Sequence, residues 1–132
     1  MQGLAEEQLL HRYAEGKWSI KEMMVHLIDA ERIFSYRALR FARQDKTELH
    51  SFDENLYAQT SKADARDINS IIAEYTSLRT STIELFKSFD EEALQQVGVA
   101  SGKEVSVRAL GYTILGHEVH HQKIIRERYL KA

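Results

Sequence analysis

Two histidines, His117 and His121, stand in the C-terminal quarter of the chain where a packed helix would carry leucine or isoleucine. Val107, Leu110, Ile114, His117, His121 and Ile124 follow one another in steps of three and four, the spacing of a helix face turned toward a core. Imidazole is costly to bury without a partner. Two imidazoles four residues apart point the same way, with Cβ atoms about 5–6 Å apart, close enough to share one ion. His26 lies at the edge of the apolar stripe of an earlier helix. Joined to the pair, it completes three neutral nitrogen donors from two helices. Such a set suits Zn²⁺, Ni²⁺ or a related divalent ion and leaves at least one coordination position open for water or substrate.

Neighbouring residues offer auxiliary roles. Asp29 follows His26 by about one turn and Glu118 adjoins His117, so either could orient an imidazole from behind. A plainer reading pairs Asp29 and Glu31 with Arg32 and other nearby cations. His120 is turned about 100° around the helix from His121, off the stripe, which suits a hydrogen-bonding partner, a proton carrier or a surface residue. His11 and His50 read as surface residues. Trp18 reads as a packing plug over the start of a helix; Arg37 could face an anionic substrate, but an exposed salt bridge is the plainer reading. The string H-E-V-H-H also satisfies the H-E-x-x-H pattern of zinc proteases, where the glutamate is general base and further ligands follow. Only eleven residues follow His121, none of them histidine, aspartate or cysteine. A third ligand must lie upstream or be Glu127, which disfavours a protease.

Three long helical patterns position these side chains. The first spans about Ser19 to Gln44: Ser19 with Glu22 forms a capping box, and Ile20, Met24, Leu27, Phe34, Ala38 and Phe41 supply an inward stripe. The second runs from about Asp64 to Phe89. The third follows Ser106, a good N-cap, and continues to about Leu130. Residues 45–63 show no clear period, and a loop of that length is functional or crosses the bundle. A helical turn at Asp90–Gln95 and a small hairpin around Gly98 and Gly102 are expected next. Leu4, Leu9, Leu10 and Tyr13 suggest a short amphipathic stub ending near Gly16. Such a set predicts a single all-α domain over 1–132 whose exposed apolar groove another subunit would cover.

Bulk properties exclude several classes. A net charge of −2 provides no basic field for nucleic acid or anionic lipid. There is no cysteine, hence no disulfide, thiolate ligand or thiol nucleophile from the chain itself. Neither a signal-peptide pattern nor an apolar run of the ~18–20 residues needed to cross a bilayer is present, so no membrane partner and a cytoplasmic location are expected.

The segments K-W-S-I-K-E-M-M-V-H-L-I-D-A-E-R-I-F, from Lys17 to Phe34, and G-H-E-V-H-H-Q-K-I-I-R-E-R-Y-L, from Gly116 to Leu130, resemble the DinB-like superfamily. So do S-V-R-A-L-G-Y from Ser106 and F-D-E-N from Phe52. The resemblance implies a four-helix bundle with a crossover between its second and third helices. It also implies a metal held by one histidine of the second helix and an H-x-x-x-H pair of the fourth, which here are His26, His117 and His121. The family's first long helix would precede the Leu4–Tyr13 stub, so the three long patterns correspond to its second, third and fourth helices, and a homodimer is expected to cover the exposed face. Known relatives include transferases using small thiols such as bacillithiol and a mycothiol-dependent isomerase. The resemblance therefore favours a metal-dependent S-transferase with a low-molecular-weight thiol cofactor, acting on small electrophiles. A three-histidine centre could instead activate water as a metal-dependent hydrolase. A third reading is a non-enzymatic helical dimerisation or stress-response module.

Overall fold

The computed structural model describes residues 3–130. A short helix, α1 (Glu6–Leu10), buries Leu9 fully and leads into a turn at Gly16. The long helix α2 (Ile20–Ala42) starts where the capping box predicts. The Glu22 amide donates to Ser19 Oγ at 3.1 Å, and the Ser19 amide donates to Glu22 Oε1 at 3.0 Å. At about 34 Å long, α2 is buried around most of its circumference, including Lys21 and Glu31. Lys21 Nζ donates to Glu6 Oε1 at 2.5 Å and to the Arg66 carbonyl at 2.6 Å, which fastens α1 and the following crossover to the start of α2.

The crossover contains one element that periodicity misses. α3 (Glu54–Thr60) is capped by Asp53, whose carboxylate accepts from the amides of Asn55 and Leu56 at 3.1 Å each. At seven residues the helix is too short to print an apolar period. A 3₁₀ turn (Ala63–Ala65) then precedes α4 (Ile68–Lys87), which Asp67 caps, so the second long helix begins one turn later than its apolar pattern suggests. After α5 (Glu91–Gln95), strands β1 (Val97–Ala100) and β2 (Lys103–Ser106) form an antiparallel hairpin. Positive φ at both Ser101 (54°) and Gly102 (77°) gives its two-residue turn the sense that matches strand twist. α6 (Val107–Ile124), capped by Ser106, continues into a π-helical turn (Ile125–Tyr129).

α2 is the central rod. Its N-terminal half packs with Ile125 and Ile71 in one apolar cluster, and its C-terminal half packs Ala38 and Phe41 against Val107 and Leu110 in a second. This pairing makes α6 antiparallel to α2. α4 runs parallel to α2: Arg66 sits beside Lys21, Arg79 beside Glu31, and Thr82 beside Ser35. Two parallel neighbours cannot be joined by a tight turn, so residues 43–67 return along the length of the bundle, the expected crossover.

Arg37 is buried at 7% exposure. It donates to the His50 carbonyl at 3.1 Å and to Ser101 Oγ at 3.2 Å, tying the crossover and the hairpin tip to α2, and so is not the exposed ion-pairing residue expected. Across the opposite side of the bundle, Ile83 of α4 and Tyr112 and Leu115 of α6 remain exposed around an apolar groove of about 280 Å³.

The hairpin lies directly on the core: a Cβ at Gly98 would stand 2.2 Å from the Phe41 ring, whereas one at Gly116 would meet nothing within 4 Å. Gly98→Ala is expected to destabilise the fold by about 1–3 kcal/mol through overpacking. Gly116→Ala, on the exposed side of α6, should add about 0.5–1 kcal/mol. Urea unfolding of both variants checks the contrast.

Candidate metal centre

α2 brings His26, and α6 brings His117 and His121, to one point. His26 Nε2 lies 3.0 Å from His117 Nε2, and His121 Nε2 lies 3.1 Å from the same atom. All three donor nitrogens fall within 4.8 Å of one another, and His26 is only 3% exposed. The antiparallel packing of α2 and α6 sets this meeting, because along α6 the two histidines fall between Leu110, in one apolar cluster, and Ile125, in the other. The ring edges are held by aromatic neighbours. The indole of Trp18 packs on His26 with centroids 4.7 Å apart, and Phe34 meets His117 edge-on at 5.9 Å. Trp18 thus covers a donor imidazole as well as the helix start.

Burial holds the cluster neutral. It lowers the pKa of His26 to about 3 and that of His121 to about 4, and in both cases the neighbouring imidazoles add to the effect. His117 is lowered by burial too, with Glu54 opposing. Neutral rings present lone pairs, the form that ligates metal. Hydrogen bonding alone cannot satisfy the arrangement. A ring nitrogen has one in-plane position, a proton or a lone pair, yet two imidazoles approach Nε2 of His117. The Nδ1 atom of His121 is buried without a partner as well. A tetrahedral zinc with bonds of 2.0–2.1 Å needs donor nitrogens about 3.3–3.4 Å apart, close to the two separations observed. The residues present therefore fit a divalent cation.

One carboxylate faces the cluster. Glu54, in the first turn of α3, places Oε2 3.9 Å from His26 Nε2 with its side chain half exposed. Sequence reasoning passes over it because it sits in a segment without a period. The signal that could have found it is Asp53, an N-cap residue just before an acidic first turn. Glu118 accepts hydrogen bonds from Tyr75 Oη and from Arg79 Nη1 (3.3 Å), and Arg79 also donates to Glu31 at 2.8 Å. These contacts lock α6 to α4 and α2 beside His117, and Glu118 spends its oxygens there rather than on an imidazole. Asp29 lines a separate cavity of about 350 Å³ with Arg66 and Glu74, and burial raises its carboxyl pKa. Arg32 pairs with Glu74 and Glu31 with Arg79. His120 is exposed, its ring 5.2 Å from that of His121, and His11 and His50 are exposed as well.

Residues 1–125 match the DinB superfamily. The chain belongs to that family. A curated protein of Geobacillus thermodenitrificans (strain NG80-2), provisionally named a metal-dependent hydrolase, is 26% identical over 121 residues, covering 90% of this chain and 68% of the relative. YfiT from Bacillus subtilis, given the same provisional activity and an unusual four-helix bundle topology, superposes with a TM-score of 0.76 at 14% identity. That superposition covers 93% of this DinB-superfamily chain and 74% of YfiT, which establishes a shared fold. Among the described residues no helix is long and apolar enough to cross a membrane.

The depressed imidazole pKa values carry a consequence for the metal-free protein. The unfolded chain protonates these rings near 6.5 and the fold does so near 3 to 4, so between those values the unfolded state binds more protons and stability rises with pH. With chelator present, thermal midpoints are expected to fall as pH drops from about 7 to about 5. His26→Gln should flatten that slope in thermal denaturation followed by circular dichroism.

Proposed function

We propose that the chain is a divalent-metal-dependent hydrolase of small molecules in which His26, His117 and His121 hold the ion. The observation that carries the reading is the convergence of three neutral Nε2 atoms opposite the carboxylate of Glu54. A bound dication supplies Lewis acidity for water activation at neutral pH. Glu54 takes the proton of the attacking water as its oxygen bonds to the substrate carbonyl carbon. As the C–N or C–O bond breaks, Glu54 returns that proton to the leaving nitrogen or oxygen. His26 and His121 are kept neutral by burial, which leaves their lone pairs available down to mildly acidic pH. Trp18 braces the His26 ring and Phe34 the His117 ring, which limits their rotation.

The family resemblance also leaves a thiol transferase open. Both relatives carry the provisional description of metal-dependent hydrolase, and Glu54 supplies the proton acceptor that hydrolysis needs. Hydrolysis is therefore the preferred activity.

Elemental analysis after incubation with Zn²⁺ or Ni²⁺ should find about one ion per chain, lost in His26→Ala and His121→Ala. Protein that stays metal-free overturns the reading. Glu54→Gln should retain the ion while hydrolysis of a small ester falls about 10²–10⁴-fold, measured by steady-state kinetics. A fall of less than tenfold removes Glu54 from the proton-transfer role.

The exposed α4–α6 groove supports a homodimer in which a second copy lays its own α4–α6 pair across Ile83, Tyr112 and Leu115, completing a four-helix layer. Sedimentation equilibrium at micromolar concentration is expected to give twice the chain mass, shifting to the monomer for Leu115→Glu. A monomer for the parent chain overturns the assembly.

A further inference from the structure

A second concavity, of about 230 Å³, opens beside the histidine cluster and shares Trp18 with it: the indole that packs on His26 also lines this cleft. Its other walls include Tyr13, Tyr129, Ile124 and Asn55, the last adjoining Glu54. The walls are fastened together. Tyr129 Oη donates to the Trp18 carbonyl at 2.5 Å, and the rings of Tyr13 and Tyr129 meet edge-on with centroids 5.2 Å apart. These contacts hold the cleft's walls to one another.

Its charge is one-sided. Lys17 lines the cleft with Nζ 5.9 Å from the centre of the Tyr13 ring, and the Arg128 guanidinium lies 5.5 Å from the same centre. Among the described residues neither cation has a carboxylate within ion-pair distance, although Arg12 nearby is fully engaged by Glu22 and Asp64. No acidic residue lines the cleft. Glu15 and Glu127, their acidic neighbours in sequence, are exposed and pair with neither. Aromatic walls take a flat apolar body, and the Lys17 ammonium in the wall, with the Arg128 guanidinium near the same Tyr13 ring, favours an anionic group.

We propose that this cleft is the substrate pocket of the histidine cluster and that it selects small amides or esters carrying a free carboxylate and an apolar or aromatic body. The carboxylate is held by Lys17 and Arg128, and the body lies between Tyr13, Trp18 and Tyr129. The assignment rests on the hydrolase reading for the bond that is cut, but the cleft's preference for anions can be measured apart from it.

Trp18 is the single tryptophan and touches both sites, so its emission reports binding directly. Zinc-treated protein is titrated with hippurate and with the uncharged amide of hippurate. Hippurate should give a saturable change with an affinity at least about fivefold better than its amide. Lys17→Ala combined with Arg128→Ala should weaken hippurate by about the same factor and leave the amide and zinc affinities unchanged. Equal affinity for the two probes, no saturable change with hippurate, or an unaltered hippurate affinity in the double variant overturns the proposal. Calorimetric zinc titration of the same samples separates the two readings. Protein that takes no zinc yet prefers hippurate keeps the anion cleft and loses the hydrolase. Protein that takes zinc and cleaves esters without regard to charge keeps the hydrolase and loses the cleft.

Discussion

Everything about the site follows from crowding at a single atom, Nε2 of His117, which receives one imidazole from α2 and another from its own helix at about hydrogen-bond length. That atom has room for one proton or one lone pair, so protein hydrogen bonds leave one of the two contacts unsatisfied. Protonation is suppressed because a charged ring would be partly desolvated beside two others. A cation that accepts several lone pairs at once removes the conflict. The surrounding packing is arranged to sustain that crowding: Trp18 closes on the His26 ring and Phe34 on the His117 ring, and apolar clusters on either side hold α2 and α6 at fixed separation.

Helix polarity explains why a carboxylate is present at all. α2 and α4 run parallel, and the chain must travel back along the bundle between them. The returning segment passes the histidine cluster, where α3 presents Glu54 from its first turn. Arg37 anchors the same segment through the His50 carbonyl, so a buried cation on α2 sets the path that places the acid. On the opposite side, Glu31, Arg79, Glu118 and Tyr75 join three helices. Two carboxylates share one guanidinium there, which ties α6 to α4 and α2 beside His117.

Much of this organisation was legible in the residues. Ser19 with Glu22 marks the start of α2, Ser106 marks that of α6, and the i, i+4 spacing of His117 and His121 puts both rings on one face. Local chemistry is decisive in such cases, because capping and helical period depend on residues a few positions apart. α3 escaped because a two-turn helix carries no period. Arg37 was misread because the partners that decide its role, the His50 carbonyl and Ser101, are distant in sequence, as are Tyr75 and Arg79, the partners of Glu118.

Read alone, the residues determined the long helices, their inward faces and the pairing of His117 with His121 on one face, since each depends on spacing within one helix; the meeting of that pair with His26 waits on how α2 packs against α6. Only the tertiary structure decided that α4 lies parallel to α2, that the crossover delivers Glu54, and that Lys17, Trp18, Arg128 and Tyr129 gather beside the cluster. Those are meetings between segments separated by tens of residues, settled by how whole helix faces pack and not by any neighbouring side chain.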